Sequence, residues 1–171
     1  MTAFVAMLRA VNVGGTSKLP MAELKTIGED CGFRQVRTFI ASGNLLFTSD
    51  ETAETVERKI YTAIDKFFGR PVPIFVRTAA EMAEVVAANP FPDQPGNRVI
   101  ASFMAQAPEP EHITGAKGVA DEKLCAGRRE IYIAYGADMG HSKLRLPPEV
   151  VGTARNMNSV AKMAELLAGM E

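Results

Sequence analysis

The sequence predicts an α+β fold built from two ferredoxin-like, split-βαβ subdomains with antiparallel or mixed sheets, the second half incomplete. Three observations predict it. Residues 3–77 alternate strand-like and helix-like apolar patterns in the order β-α-β-β-α-β. Residues 99–171 repeat that order less cleanly. The strands expected at the centre of the first half, AFVAMLRA and NLLFTS, carry apolar residues on both faces, as strands covered on both sides do.

Each element has its own signal. Residues 3–10 are apolar apart from Arg9 and read as a buried strand. A polar loop follows with Asn12, Gly14, Gly15, Thr16, Ser17 and Lys18. Pro20 suits the first position of a helix, Met21, Leu24, Ile27 and Cys31 recur at helical spacing, and Gly32 can end it in the left-handed conformation. Val36–Ala41 and Asn44–Thr48 are predicted strands joined by a turn at Ser42-Gly43. Asp50 or Thr52 caps a second helix with Val56, Ile60, Ile64 and Phe67 on its inner face, and Gly69 closes it. Val72–Val76 completes the first subdomain, residues 1–77.

The second subdomain is expected over 78–171. Thr78 and Glu81 stand at capping-box spacing before Met82, Val85 and Val86. The stretch NPFPDQPGN has neither periodicity and reads as a connection. Val99–Met104 is a strand and Glu109–Lys117 a helix weakened by Gly115. Lys123–Ala126 and Glu130–Tyr135 form a hairpin around Gly127. After the polar loop GADMGHSKLRLPP, a last helix carries Val160, Met163, Ala164 and Leu167 on one face. No close residue-level repeat links the halves.

Composition excludes several classes. The chain has 171 residues, 47% hydrophobic and 23% charged, which is ordinary for a globular chain that folds without staples. A net charge of −1 and a pI near 6.2 argue against a nucleic-acid-wrapping surface. The start lacks a basic leader, no apolar run reaches the roughly 20 residues that span a bilayer, and Cys31 and Cys125 lie far apart, so a cytoplasmic protein with free thiols and no membrane segment is expected. Nothing in the pattern sets the oligomeric state.

Topology then selects a site. In a β-α-β-β-α-β unit, the loop 10–19, the turn 42–44 and the connection carrying Arg70 lie at one end of the sheet. Gly14 and Gly15 let backbone N–H groups approach a ligand, the following helix N-terminus is partly positive, and Lys18 adds a cation. A plain glycine-rich turn with a solvated lysine reads equally from the same residues. Ser42, Gly43 and Asn44 either close a hairpin or add donors. Arg9, in an apolar strand, needs a structural carboxylate or a ligand anion. Arg155, Asn156 and Asn158 precede an apolar helix and serve as caps or as a ligand fork, with Ser142, Lys143 and Arg145 upstream. One polar pocket of the 9–18 loop, the 42–44 turn and the 153–158 segment, binding a small anion such as a nucleotide or other phosphate compound, is the reading these donors favour.

The chemistry of catalysis is sparse. GGTSK is neither a Walker A loop nor GxGxxG, so no cofactor is implied. His112 and His141 have no companions at metal-ligand spacing. His141 beside Ser142 is adjacency rather than a triad. Two other readings stand beside ligand binding: a protein–protein interaction module using the sheet or the NPF loop, and an enzyme on a phosphorylated or nucleic-acid substrate with His141 or Glu23 as base.

The segments FVAMLRAVNVGG, KLPMAEL, VRTFIASGNLLF, NPF at Asn89–Phe91, IYIAYG, SKL and TARNMNSVAKMAEL together resemble the bacterial domain-of-unknown-function family 1697. The resemblance implies two ferredoxin-like subdomains in one protein and carries no activity, so no catalytic residue transfers. The motif positions it matches are Arg9, Asn12, Gly14, Gly15, Ser42, Gly43, Asn44, Arg155, Asn156 and Asn158. Ala10 stands where the pattern usually has glycine, and Met157 where it usually has tryptophan.

Overall fold

The computed structural model describes residues 1–12 and 18–171. These residues form two four-stranded antiparallel sheets with flanking helices. The chain divides into two compact units, one of residues 1–83 with 163–171 and one of residues 84–162.

Unit 1 contains β1 (Thr2–Leu8), α1 (Met21–Asp30), β2 (Arg34–Thr38), β3 (Asn44–Ser49), α2 (Ala53–Phe68), β4 (Ile74–Thr78) and the start of α3 (Ala79–Ala87). Its sheet runs β2-β3-β1-β4. Phe4, Ala6 and Leu8 of β1 join Phe47 of β3 and Val76 of β4 in a core closed by Leu24 of α1 and by Val56, Ile60 and Ile64 of α2. Phe47 stacks on Phe33 at 4.2 Å and on Phe4 at 5.7 Å between ring centres. Truncating such a ring costs about 3–5 kcal/mol. Ala3, Val5 and Met7 on the opposite face of β1 are also fully buried.

Local chemistry sets the boundaries. Thr52, not Asp50, caps α2 by accepting from the Thr55 N–H, and Gly69 closes it at φ +69°. The Thr78–Glu81 capping box is present in both directions. Pro20 is the residue before α1, which begins at Met21. β2 starts before the expected Val36 and stops short of Ala41. Gln35 at φ +52° goes with a register shift between Arg34 and Arg37, and Ile40 at φ +53° cannot continue a strand. β4 lies two residues later than expected because Pro73 has no N–H to give a ladder. Arg9 falls just beyond β1 rather than inside it. Ala10 follows at φ +58°, which explains why glycine suits that position.

Unit 2 contains β5 (Val99–Met104), α4 (Pro110–Thr114), β6 (Lys123–Ala126), β7 (Glu130–Ala134), a 3-10 turn (Met139–His141), β8 (Gly152–Asn156) and the start of α5 (Met157–Ala168). Its sheet order, β6-β7-β5-β8, is that of unit 1 strand for strand. Register matches too. Val5 faces Arg77 on β4 and Ala101 faces Arg155 on β8, and each arginine precedes the residue that caps the next helix. The halves therefore repeat in topology without repeating in sequence.

The incompleteness of the second half lies in its helices. α4 ends at Gly115, and its Glu109–His112 capping box has the His112 ring accepting from the Glu109 N–H at 2.9 Å. No helix joins β7 to β8; a strap over 142–151 does. Its Leu144, Leu146 and Val150 cover Met104, Ile131 and Ile133. The strap is anchored where the Glu122 carboxylate accepts from the Ser142 hydroxyl and from the Ala120 N–H. Those bonds hold the Glu122 carboxyl below its ordinary 4.5.

Three outcomes are expected. Ala10→Gly relieves a left-handed alanine and raises stability by about 0.5–1 kcal/mol in denaturant melts, the relief of roughly 1–2 kcal/mol being offset in part by glycine's added freedom in the unfolded chain. Gly43→Ala lowers stability by about 2–4 kcal/mol in the same assay, since its Cβ would meet Val11 Cγ2 at 2.5 Å at φ +91°. A depressed carboxyl stabilises the fold above its unfolded pKa and stops doing so as pH falls through its folded value. The protection factor of the Leu144 amide is therefore expected to fall as acid protonates Glu122 in the wild type, and to lose that acid dependence in Glu122→Gln.

Candidate functional site

The loop-bearing end of unit 1 is assembled by backbone contacts from three segments. Leu8 N–H donates to Gly43 O at 2.9 Å, and Arg9 N–H donates to Pro73 O at 3.0 Å. The end of β1, the 42–44 turn and the connection after α2 therefore meet, as the topology requires. Asn12 ties in the fourth strand of chain. Its Oδ1 accepts from Leu19 N–H at 2.8 Å, and its Nδ2 donates to Leu19 O at 2.9 Å and to Ala41 O at 2.8 Å. Asn12 thus pins both ends of the 12–19 loop to the hairpin. Gly14 and Gly15, the expected ligand cradle, lie outside the described residues.

The turn itself is closed from within. Asn44 is fully buried, and its Nδ2 donates to Phe39 O at 2.8 Å and to the Ser42 hydroxyl at 3.1 Å. Gly43 must lack a side chain because Val11 and Leu8 occupy the space. Three cations, Arg9, Lys18 and Arg70, are exposed among the described residues of this end. Arg9 is exposed and forms no ion pair among the described residues. Lys18 is exposed one residue before the clamped Leu19. Arg70 stands over the Phe68 ring at 5.2 Å. Ala10, Asn12 and Ile40, all with positive φ, surround this end, and such backbone strain concentrates where geometry is held for a purpose.

In unit 2, Arg155 and Asn156 have hydrogen-bond partners within that unit. Arg155 is 6% exposed, and its Nη1 donates to Thr153 Oγ1 at 2.7 Å and to Ala154 O at 3.0 Å. Burial draws its guanidinium down to about 10. Asn156 Oδ1 accepts from Ser159 N–H at 2.9 Å, so it caps α5. The Asn158 amide oxygen occupies the space a Gly96 side chain would take, and Met157 N–H donates to Gly96 O at 3.0 Å. Met157 is buried, a packing position. Lys143 is exposed on the strap.

The other readings meet specific geometry. His141 is exposed and its Nδ1 lies 2.6 Å from Asp138 Oδ1 within the 3-10 turn. Glu23 is exposed in the first turn of α1. In the NPF segment, Asn89 Oδ1 accepts from Phe91 N–H at 2.9 Å and forms the turn. Cys31 and Cys125 are free and half-buried, and burial pushes the Cys31 thiol up. Among the described residues, no group of three or more histidines, cysteines or carboxylates could hold a metal. Among them, no helix is long and apolar enough to cross a membrane.

Sequence reasoning missed Arg77, which is 2% exposed in β4 and donates from Nη1 to Val76 O at 3.1 Å. The available signal was its position. It precedes a capping residue as Arg155 does, in VRT against ARN.

A conserved bacterial protein, SP0830 from Streptococcus pneumoniae, has a similar structure. The TM-score is 0.76 over 97% of this chain and 98% of that one, at 22% identity, a likeness of fold. No curated protein matches the chain. The model of a family of proteins of unknown function, DUF1697, matches residues 1–132, and the chain belongs to that family.

Proposed function

We propose that the loop-bearing end of unit 1 binds a small anionic ligand, with a phosphate or carboxylate group facing Arg9 and Lys18. One observation carries this reading. Arg9 presents an exposed guanidinium, without an ion pair among the described residues, at a place where three chain segments are locked together. A guanidinium offers a planar fork suited to either anion. The Asn12 clamp supplies rigidity, so little ordering would be lost on binding. Gly14 and Gly15 would add backbone donors and Ser42 a hydroxyl. Arg155, Asn156, Asn158 and Lys143, expected in the same pocket, enter this proposal only as candidates for a separate test.

Thermal melts of the full chain against inorganic phosphate, nucleotides and small carboxylates test it. A ligand at 100 times its Kd adds about 2.7 kcal/mol, a rise of several degrees for a chain of this size. The rise is expected to vanish in Arg9→Ala/Lys18→Ala, whose exposed positions change stability by at most about 0.5 kcal/mol. It should persist in Lys143→Ala. Absence of any rise, or a rise unchanged in the double variant, overturns the proposal.

A further inference from the structure

We propose a second ligand site, in unit 2, that takes a small carboxylate with an apolar body between Lys117 and Arg145. A cavity of about 450 Å³ lies between α4 and the strap, lined by Glu111, Gly115, Lys117, Arg145, Pro147 and Glu149 among others. That volume falls in the range of small-molecule pockets.

The two cations are held face to face by the backbone. Lys117 N–H donates to Arg145 O and Arg145 N–H donates to Lys117 O, both at 2.8 Å, an isolated antiparallel bridge. Residues directly opposite in such a pair project to the same side. Like charges there repel and reduce stability. The chain cannot relax by drifting apart at this point. Gly118 follows at φ +69°, pressed against the Lys143 carbonyl with no room for a side chain. Gly115 is likewise tight, a Cβ there lying 3.2 Å from Pro147 Cγ.

Among the described residues, no carboxylate forms an ion pair with either cation. Glu111 and Glu149 line the same cavity, yet neither forms an ion pair with Lys117 or Arg145 within 4.0 Å among the described residues. An anion between the two cations would relieve the repulsion, with the arginine fork and the lysine ammonium on one carboxylate. Leu146, Pro147 and Pro148 supply an apolar wall for the rest of the ligand. Glu111 and Glu149 set the charge class. They disfavour a multiply charged phosphate and accept a monocarboxylate whose body is apolar.

The test is an amide-shift NMR titration of the full chain with N-acetylphenylalanine, phenylalaninamide and inorganic phosphate in parallel. N-acetylphenylalanine is expected to give saturable shifts confined to residues 111–118 and 144–149. Phenylalaninamide, which lacks the carboxylate, and phosphate, which lacks the apolar body, should bind at least tenfold more weakly. Lys117→Gln/Arg145→Gln, both at exposed positions, should weaken N-acetylphenylalanine binding by tenfold or more and raise the melting temperature of the free protein. Equal shifts with phenylalaninamide, stronger shifts with phosphate, unaltered binding in the double variant, or no shift at these residues would each overturn the proposal. Because the readout is confined to unit 2, it is independent of the anion site proposed around Arg9.

Discussion

The junction of β1 with the β2–β3 hairpin governs the architecture of unit 1. Leu8 binds the Gly43 carbonyl, the missing side chain of Gly43 admits Val11, and the Asn12 carboxamide holds both Leu19 and Ala41. These contacts bring the turn against β1 and tie Asn12 to Leu19, two residues before α1 begins, and to Ala41 of the hairpin. This also explains why small and amide residues recur here. Their task is close backbone approach and hydrogen-bond closure, which larger side chains obstruct.

Much of the fold was legible because its signals are local. The inner face of α2 at Val56, Ile60 and Ile64, its Thr52 cap, its Gly69 stop and the Thr78–Glu81 box all follow from spacing that acts within a few residues; Phe67, expected on that face, is exposed near the helix end, and Phe68 packs on the core instead. What escaped depends on backbone conformation that side-chain pattern does not encode. Alternation in 34–41 gave no sign that Gln35 and Ile40 adopt positive φ, so β2 was expected to start two residues late and to end three residues late. The later start of β4 has a different cause, the missing N–H of Pro73. The meeting of the loop-bearing segments of unit 1 was legible, the roles of their residues less so. Topology located the segments that meet at Arg9, whereas the hydrogen bonds decide between the alternatives left open at Asn156, which caps α5, and at Asn44, which closes the hairpin turn.

The two units solve one topology with different materials. Unit 1 covers the Phe4 face of its sheet with two helices, and unit 2 covers the Ile131 face with one short helix and a strap. A strap has fewer backbone hydrogen bonds of its own, so it needs anchors to the rest of the unit, such as the Glu122 carboxylate and the backbone bridge between Lys117 and Arg145. The position shared by Arg77 and Arg155 shows what the halves kept in common. Each places a buried guanidinium at the end of its fourth strand, immediately before a helix cap. A buried arginine tolerates little displacement, because each of its N–H groups must keep a partner.

The bulge in β2 has a consequence for how the protein behaves among copies of itself. β2 is an edge strand, and an edge offers unpaired backbone groups to any extended chain that meets it. Here Gln35 breaks the regular spacing of those groups, and Arg34 and Arg37 place exposed charge on either side of the break. A second strand arriving in register would meet a twisted backbone and two guanidinium groups. The irregularity that obscured the strand in the sequence therefore makes this edge a poor template for strand addition.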